Sequence, residues 1–581
     1  MLNPTHAQHP FRNLVGLALT AIFGLAFLVL AAPSAAAPNA GGVPSLEKQD
    51  RPEFRLVVPF FEVDTNNPAG ATTLFAVRNP QASDTEITIH YYDGAGNSLR
   101  TDTVPLAAEA THTVNVRDVG LPAGPDGVAR GFILIETATS RNDIVGDFFQ
   151  VDVGQNFATG ERMFSSFCPI TELRFADFGE GTEITVLLTD PLGTDPNTAP
   201  PTFAVTPVDE AGNAGTPVEI YTDQHLYFAS ASDFTQGSFG TLIFDFTPRR
   251  GVFGSGWAYA VYSAGGRFSV GMGMANSAAA RRCPSLTLGS ARLDLSALVQ
   301  NLSETPAPDA PGPEDHAHEI TVPAPATPKI GTGTITRLIL PFYEVDKNDA
   351  SGTTTLYAIR NLENYPVDIE IRYYRAASAA AVRTETVTLA ANATRTVNLR
   401  DVPGLTTDSD GFARGFATIE TLIDARILGD FFQVDVGQNF ATGDRLVSQS
   451  NDLCEQQEIR FADFGSGTQL MVLLTNPQGI GAGAPPSFRV TPVDEDGNRL
   501  PSTDLQTSRY VNFYDASDFT GESFGTLIFD FSINSSEDQG WVYGVYSADG
   551  LFSVGVNGVQ NPFKEGVVAT SCRSVLDFPQ P

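Results

Sequence analysis

The sequence predicts an all-β protein made of tandem immunoglobulin-like β-sandwich modules, arranged as two duplicated halves of two modules each. Three observations support this prediction: a long internal duplication, short segments that alternate polar and apolar residues, and turn motifs between those segments. The duplication is clearest at Gly146–Gly160, GDFFQVDVGQNFATG, which recurs letter for letter at Gly429–Gly443. The chain therefore supplies its own comparison, because features kept in both copies can be separated from features that only one copy has.

The duplication extends beyond that stretch, over about 230 residues per copy. Three further segments recur unchanged or nearly so: PFFEVD returns as PFYEVD, and RFADFG and SFGTLIFDF return as themselves. They lie at Pro59–Asp64 and Pro341–Asp346, at Arg174–Gly179 and Arg460–Gly465, and at Ser238–Phe246 and Ser523–Phe531.

The local pattern is that of strands joined by tight turns. Thr85–Tyr91, Thr111–Val116 and Asp368–Tyr373 alternate polar and apolar residues, as half-buried strands do. Between strands, clusters of Asp, Gly and Asn are typical of hairpin loops, because Gly and Asn accept positive φ. Such loops are predicted at Asp93–Asn97, Asp209–Asn213 and Asp494–Asn498.

Each copy is itself predicted to contain two modules, because one pattern occurs twice within it. A glycine opens an apolar strand, an acid follows five residues later, Asp-Val or Asp-Phe lies upstream, and Gly-x-Phe lies downstream. The four strands are Gly131–Glu136, Gly240–Asp245, Gly415–Glu420 and Gly525–Asp530. The modules are predicted at residues 54–165, 166–289, 335–448 and 449–577, which is about 110–130 residues each and close to the size of an immunoglobulin-like sandwich.

Three segments outside the modules differ in character. Residues 1–36 have the pattern of a cleaved signal peptide, with Arg12 before an apolar run and small residues after it; an uncleaved N-terminal anchor is the alternative. Residues 37–53 form a short extension. Residues 290–334 interleave Pro and Ala with acids, which predicts a semi-rigid extended linker that joins two separate bodies.

The charge of the chain excludes some partners. It has 35 Lys and Arg against 67 Asp and Glu, a net charge of −32, which repels nucleic acid and anionic membrane surfaces. No stretch after the signal is long and apolar enough to span a bilayer, so no membrane span is expected in the mature chain.

The four cysteines are predicted to form one disulfide in each copy. They fall two per copy at matching places, which favours Cys168–Cys283 and Cys454–Cys572, and export supplies an oxidising compartment. Each bridge would close a long loop and contribute about 4–5 kcal/mol in the chain-entropy model. Thiolate metal ligation or a nucleophilic cysteine is the weaker alternative, because no two cysteines are close in sequence.

A catalytic histidine shared by the copies is excluded. His90 aligns with Arg372, His112 with Arg395 and His225 with Tyr510, so no Ser-His-Asp or Cys-His mechanism is kept in both. Paired carboxylates remain as an enzymatic alternative. The kept acids and arginines are expected to pair across strand edges and module junctions. They are Glu62/Glu344, Asp64/Asp346, Glu136/Glu420, Asp147/Asp430, Asp152/Asp435, Asp177/Asp463 and Asp245/Asp530, with Arg78/Arg360, Arg117/Arg400, Arg130/Arg414, Arg162/Arg445 and Arg174/Arg460.

Two segments contain metal-capable side chains. In Asp64–Gly70 and its match Asp346–Gly352, oxygen side chains at spacing two precede a glycine, which could wrap calcium; a plain Asx turn needs the same residue types. The candidate calcium ligands are Asp64, Asn66, Asp346, Asn348 and Asp349. Glu314–Glu319, with two histidines, lies in the predicted linker and is expected to be a solvated segment rather than a metal site.

The repeated 15-residue stretch is a candidate interface or ligand strand. Its amides and its acid are suited to contact with a sugar or a peptide. Alternatively, the stretch is a strand buried between modules, whose polar groups must all be hydrogen-bonded and which therefore tolerates few substitutions. The junction interpretation is favoured. The candidate residues are Phe148, Phe149, Gln150, Asp152, Gln155 and Asn156, with Phe431, Phe432, Gln433, Asp435, Gln438 and Asn439.

These features predict an exported, non-enzymatic structural or adhesive protein of the cell surface or extracellular matrix, located in the periplasm, on the surface or outside the cell. The argument is architectural, since the modules are similar in architecture to bacterial surface sandwich repeats. The alternatives are a carbohydrate- or calcium-binding protein with one site per repeat, and a carbohydrate-active enzyme using paired carboxylates. Expected partners are surface glycans, other surface proteins or further copies of the chain, and calcium is the one candidate cofactor.

Overall fold

The computed structural model describes two long parts of the chain with short gaps. The described residues are 55–137, 144–155, 157–164, 167–176, 181–189, 191, 201–247, 254–263, 269–273, 275–276, 336–378, 380–437, 440–448, 454–462, 467–474, 488–533, 539–547, 553–557, 559–560, 563–564 and 567–568. All of them belong to one compact unit, Pro44–Pro581. The predicted signal peptide, N-terminal extension and linker lie outside the described residues. Within the described parts, no helix has the length and apolar character that a membrane crossing needs.

The first module, module a, contains eight antiparallel strands in two four-stranded sheets. The strands are β1 (Arg55–Asp64), β2 (Ala71–Arg78), β3 (Thr85–Asp93), β4 (Ser98–Leu106), β5 (Thr111–Asn115), β6 (Val128–Thr137), β7 (Val145–Asp152) and β8 (Phe157–Arg162). One sheet has the order β1-β6-β3-β4 and the other the order β5-β2-β7-β8. A single helical turn, α1 (Val116–Val119), follows β5, and the side chain of Asn115 caps it by accepting from the backbone N–H of Arg117.

Proline in the repeated PFFEVD motif is compatible with β1 because the strand has a bulge there. The pairing of β1 with β6 shifts between Val58 and Phe61, on either side of Pro59. The equivalent shift lies between Leu340 and Tyr343, around Pro341. Proline lacks an N–H for the sheet, so a bulge is one of the few places within a sheet that accept it.

The second module, module b, repeats this topology strand for strand. Its strands are β9 (Ile170–Ala176), β10 (Thr182–Leu188), β11 (Phe203–Asp209), β12 (Val218–Ile220), β13 (Leu226–Ser230), β14 (Phe239–Asp245), β15 (Gly256–Ser263), β16 (Ser269–Gly273) and β17 (Ala275–Asn276). The sheet orders are β12-β11-β14-β9-β17 and β13-β10-β15-β16. Counted from its own first strand, module b therefore pairs strands 1, 6, 3 and 4 and strands 5, 2, 7 and 8, as module a does.

The second copy, modules a′ and b′, has the same arrangement. Module a′ consists of β18 (Arg337–Asp346), β19 (Thr353–Asn361), β20 (Val367–Arg375), β21 (Ala381–Leu389), β22 (Thr394–Asn398), β23 (Phe412–Thr421), β24 (Ile427–Asp435), β25 (Phe440–Arg445) and β26 (Val447–Ser448). Module b′ consists of β27 (Gln456–Ala462), β28 (Thr468–Leu474), β29 (Phe488–Val493), β30 (Thr503–Leu505), β31 (Val511–Asp515), β32 (Phe524–Asp530), β33 (Gly540–Ser547), β34 (Ser553–Asn557) and β35 (Val559–Gln560), followed by the small hairpin β36 (Phe563–Lys564) and β37 (Val567–Val568). Short 3-10 turns follow the fifth strands, at Ala231–Asp233, Leu399–Asp401 and Ala516–Asp518.

The sheets of the second copy complete the same pattern. Their orders are β21-β20-β23-β18-β26 and β22-β19-β24-β25 in module a′, and β30-β29-β32-β27-β35 and β31-β28-β33-β34 in module b′. The predicted fold class, tandem β-sandwich modules in two duplicated halves of two modules each, is confirmed.

The apolar core crosses from one copy to the other. The core of modules a and b also contains Phe432, Val434 and Ala441 of module a′. A smaller cluster joins Phe149 of module a to Tyr546 of module b′. The prediction of two separate bodies joined by a tether is therefore wrong, because burial of apolar area binds the two copies together.

Candidate functional site

Strand β7 holds the first half of the repeated stretch, and both of its faces are buried. Side chains alternate along a strand, so neighbouring residues point to opposite faces. Phe148 packs against Tyr259 of module b, with ring centroids 5.7 Å apart. Phe149 packs edge to face against Tyr546 of module b′, at 5.0 Å. The strand thus lies between a module of its own copy and a module of the other copy.

Strand β24, which carries the same residues in the second copy, has equivalent contacts. Phe431 lies 5.7 Å from Tyr543 of its own copy, edge to face. Phe432 lies 5.1 Å from Tyr262 of the first copy, also edge to face. Each contact between the copies therefore occurs twice, at equivalent residues, as a twofold relation between the copies requires.

A buried group of charges accompanies the Phe149 contact, and we call it joint 1. It consists of Arg78 and Asp147 of module a with Glu458 and Arg460 of module b′. Arg460 donates to both carboxylate oxygens of Asp147, from Nε and from Nη2 at 2.8 Å. Arg78 Nε lies 3.2 Å from Glu458 Oε2, and Arg460 Nη1 lies 3.5 Å from Glu458 Oε1. None of these four side chains is more than 4% exposed.

Joint 2 is the same group formed by module b with module a′, around the Phe432 contact. Arg174 donates to both carboxylate oxygens of Asp430, from Nε and from Nη2 at 2.7 Å. Arg360 Nε lies 3.2 Å from Glu172 Oε2. Each joint thus combines two arginines with two acids and is neutral as a group. This balance matters because an unpaired charge in such a site costs several kcal/mol.

The protonation states in the joints follow from burial and pairing. Burial lowers the pKa of Arg174 to about 10, which leaves it charged at neutral pH. Burial also opposes the charge of Arg460, but the attraction of Asp147 prevails and raises the pKa of that group. Burial raises the pKa of Tyr262 and of Tyr546, whose hydroxyls donate to the backbone oxygens of Arg174 and Arg460. At neutral pH both tyrosines are therefore protonated donors and both arginines are cations.

The tips of two hairpin loops extend the contact between the copies. In the Asp494–Asn498 loop of module b′, Glu495 accepts from the N–H of Thr111 of module a at 3.0 Å. Gly497 has φ +89°, and a Cβ on it would lie 2.2 Å from the carbonyl oxygen of Ala108. The glycine is therefore needed for the turn and again for the close approach of the other copy.

The equivalent loop of module b docks on module a′ in the same way. Glu210 accepts from the N–H of Thr394 at 3.0 Å. Gly212 has φ +89°, and a Cβ on it would lie 2.1 Å from the carbonyl oxygen of Ala391. The hairpins that the sequence predicts are present, and their tips serve as docking points between the copies.

Contacts within each copy complete a closed cycle of modules. Tyr259 of module b and Thr159 of module a share a hydrogen bond of 2.6 Å, and Tyr543 and Thr442 repeat it in the second copy. The modules therefore touch in the order a, b, a′, b′ and back to a. Strands β8, β16, β25 and β34, each at the end of its sheet, lie against one another. Edges that would otherwise be open to other chains are thereby covered.

The predicted ligand strand is mostly enclosed by these contacts. Gln150 and Gln433 are each 8% exposed. Asp152 accepts from the N–H of Gln155 at 2.9 Å, and Asp435 accepts from the hydroxyl of Thr353 at 2.7 Å. Gln155 itself is exposed. The remaining candidates, Asn156, Gln438 and Asn439, lie outside the described residues.

The candidate calcium loops are hydrogen-bonded Asx turns. Asp64 Oδ1 accepts from the N–H groups of Asn66 and Asn67, at 2.9 and 3.0 Å. Arg117 donates from Nη1 to the carbonyl oxygens of Asp64 and Asn67, both at 2.7 Å. From Nη2 it donates to the carbonyl oxygens of Gly70 and Ala71, at 2.8 and 2.9 Å. An arginine thus already places positive charge against the oxygens of this loop.

The second candidate loop has the same geometry. Asp346 Oδ1 accepts from Asn348 and Asp349 at 2.8 and 3.1 Å, and Arg400 donates to carbonyls of the loop. Among the residues that the structure describes, no group of three or more His, Cys, Asp or Glu is placed to hold a metal ion. Calcium binding at these two loops stays a hypothesis from the sequence, with a plain Asx turn as its alternative.

The other kept charges pair locally, and the cysteines are only partly described. Glu62 lies 2.7 Å from Arg130, and Glu344 pairs with Arg414 in the second copy. Asp177 and Asp463 lie outside the described residues. Cys168 and Cys454 are buried, whereas Cys283 and Cys572 lie outside the described residues, so the two disulfides stay predictions.

Sequence reasoning missed two pairs of joint residues. Glu172 and Glu458 precede the repeated RFADFG by two positions, and in a strand they share a face with Arg174 and Arg460. That spacing was the available signal. Tyr262 and Tyr546 also occupy matching places, in AVYSA and GVYSA, but nothing in those letters shows that the tyrosines face the other copy.

The cavities beside the joints are small. One of about 20 Å³ is lined by Arg174, Tyr262 and Phe432, and one of about 30 Å³ by Phe149, Arg460 and Tyr546. Pockets for small-molecule ligands are typically about 300–1,000 Å³. Each joint cavity has room for a water molecule but not for a sugar.

Comparison with known proteins gives little for this chain. No family model matches it, and no curated protein matches it. Among solved structures, one chain described as a biofilm associated protein, BSP domain, is 10% identical, with 90% of this chain and 98% of that chain covered and a TM-score of 0.14. A similarity at that level carries no argument about the fold or the function.

Proposed function

We propose that this chain is an exported, non-enzymatic structural or adhesive protein of the cell surface or extracellular matrix. One observation carries the proposal: the charged pairs Asp147/Asp430 and Arg174/Arg460, which both copies keep, lie buried in the joints that hold the copies together. A duplicated active site would keep its reacting groups open to a substrate. Here the shared arginines and acids form ion pairs with one another, and none of these side chains is more than 5% exposed.

The closed cycle of modules suits a body that must last outside the cell. Each copy buries its repeated strand against the other, and the four central edge strands cover one another. Covered edges resist pairing with foreign chains, and buried joints limit the local opening that proteases need. The net charge of −32 supports solubility of such a body.

The adhesive part of the proposal has a candidate contact in each copy. Phe228 on β13 is 53% exposed, and Phe513 at the equivalent place on β31 is 44% exposed. A large aromatic side chain exposed at the same position of both copies offers two equivalent contact points on one compact unit. Two weak contacts on one body bind more tightly together than either does alone.

Localisation and adhesion assays test the proposal together. Intact cells should be labelled by an antibody against the chain, and a deletion strain should lose attachment that the wild-type chain restores. The Phe228→Ala, Phe513→Ala chain should reach the surface and restore attachment poorly, whereas Leu422→Ala, at another exposed apolar position, should restore it fully. Retention of the protein in the cytoplasm, or full attachment without it, would contradict the proposal.

A further inference from the structure

The surface that joins the two copies is self-complementary. Each copy carries both partners of the central ion pair: the first has Asp147 and Arg174, and the second has Asp430 and Arg460. The same holds for the ring contact, since Phe149 meets Tyr546 and Phe432 meets Tyr262. Nothing in these contacts requires the two copies to belong to one chain.

None of the residues named in the joints belongs to the covalent connection between the copies. Asn276 ends the described part of the first copy, and Thr336 begins that of the second, so 59 residues separate them. At about 3.3–3.6 Å per extended residue, such a segment reaches at most about 200 Å. Its length therefore permits a first copy to meet the second copy of a different chain.

We propose that the partner of this chain is a second copy of itself, and that chains associate by exchanging halves. In the exchanged assembly, modules a and b of one chain form joints 1 and 2 with modules a′ and b′ of another. Two chains that exchange both halves form a closed dimer, and chains that each pair with two neighbours form an open series. The contacts are those of the single chain, so exchange adds no new interface. This inference does not depend on the proposed function, because it follows from the joints and from the length of the connection between the copies.

A charge-swap experiment on the full chain tests the exchange. One variant, Asp147→Arg with Asp430→Arg, places two arginines face to face in each joint. A second variant, Arg174→Asp with Arg460→Asp, places two aspartates there. Neither can close on itself or on its own kind. When the two are mixed, each pairing between a half of one and a half of the other places an arginine opposite an aspartate in both joints. A closed dimer, which contains two such pairings, therefore restores four ion pairs.

The expected result is a 1:1 species of at least twice the chain mass that appears only in the mixture. A chain with all four substitutions is the matched control, because it restores both ion pairs within itself and so reports whether reversed pairs are tolerated. If that control folds as a single chain and the mixture gives no 1:1 species, the proposal is overturned.

Cross-linking keeps the proposal testable if the charge variants fail to fold. Arg499 Nε lies 2.8 Å from Glu109 Oε2 across the copies, at a partly exposed site. Chains carrying Glu109→Cys and chains carrying Arg499→Cys are co-expressed and treated with a short thiol-specific cross-linker. Cross-linked dimers support exchange. Their absence, while a chain carrying both substitutions cross-links within itself, would overturn it.

Discussion

Removal of the Asp147 carboxylate should weaken the contact between the copies far more than removal of an exposed carboxylate in the same module. Asp147 is buried and accepts two hydrogen bonds from Arg460, whose side chain is 4% exposed. In Asp147→Ala the guanidinium stays buried, with Glu458 Oε1 at 3.5 Å as its remaining acidic neighbour. Breaking a buried pair from one side costs about 3–5 kcal/mol, and we expect about 3 because Glu458 partly compensates.

Hydrogen exchange of the joint strands measures this cost directly. A loss of about 3 kcal/mol in local opening free energy corresponds to roughly 100-fold faster exchange of the amides of β7 and β27. Asp102→Ala is the control, because the Arg100–Asp102 pair of module a is far more accessible, with side chains 47% and 28% exposed. Exposed pairs contribute at most about 1 kcal/mol.

A double-mutant cycle separates the pair from the individual side chains. Arg460→Ala should also destabilise, whereas the double substitution should cost clearly less than the sum of the two, because it leaves no buried charge unpaired. If Asp147→Ala changes exchange no more than Asp102→Ala, or if the two substitutions are simply additive, the assignment of joint 1 as the main polar contact between the copies is wrong.

Three further predictions follow from the geometry. Gly497→Ala should lower the urea midpoint of unfolding more than Gly467→Ala does. Both glycines have positive φ, but only Gly497 lies against another backbone, so its substitution adds an overpacking cost of about 1–3 kcal/mol. Equal shifts would contradict docking of that loop. Burial raises the pKa of Tyr514 to about 12 and raises that of Tyr262, so the stability that these groups contribute is fully present below pH 10, and the part from Tyr514 is lost as pH rises through about 12. The tyrosinate absorbance of the buried tyrosines should then appear together with unfolding, and ionisation of all 15 tyrosines at about pH 10 in the folded protein would refute this. A chelator should leave the melting temperature unchanged, because the Asp64 loop already binds its own amides and Arg117; a lower melting temperature would indicate calcium.

The modules were predictable from the sequence because their signals are local. Alternation identified strands such as Thr85–Asp93, and Asp-Gly-Asn clusters identified the hairpins, since period-two burial and positive φ leave direct traces in residue choice. The Gly-x-Phe motif was a weaker basis for matching the two modules within a copy. Gly146 and Phe148 lie on the seventh strand of module a, whereas Gly266 and Phe268 follow the seventh strand of module b, outside the described residues.

The crossing of the copies was not predictable from the same signals. A strand that is buried on both faces has the same apolar sequence pattern whichever module covers its second face. The pattern therefore does not identify that module. Asp147 and Arg460 lie 313 positions apart, and each had several acidic or basic residues of the other copy as possible partners. The Pro-rich segment favoured separate bodies because its composition says nothing about contacts made elsewhere in the chain.

The distance between the two copies in solution tests the central claim, that they form one body through crossed joints. Spin labels on Glu109→Cys and Arg499→Cys of one chain would report it, because these two residues form an ion pair across the copies. The joints predict a short distance with a single narrow distribution, whichever chain supplies the partner half. A long and broad distribution would show two bodies on a tether and would contradict the account.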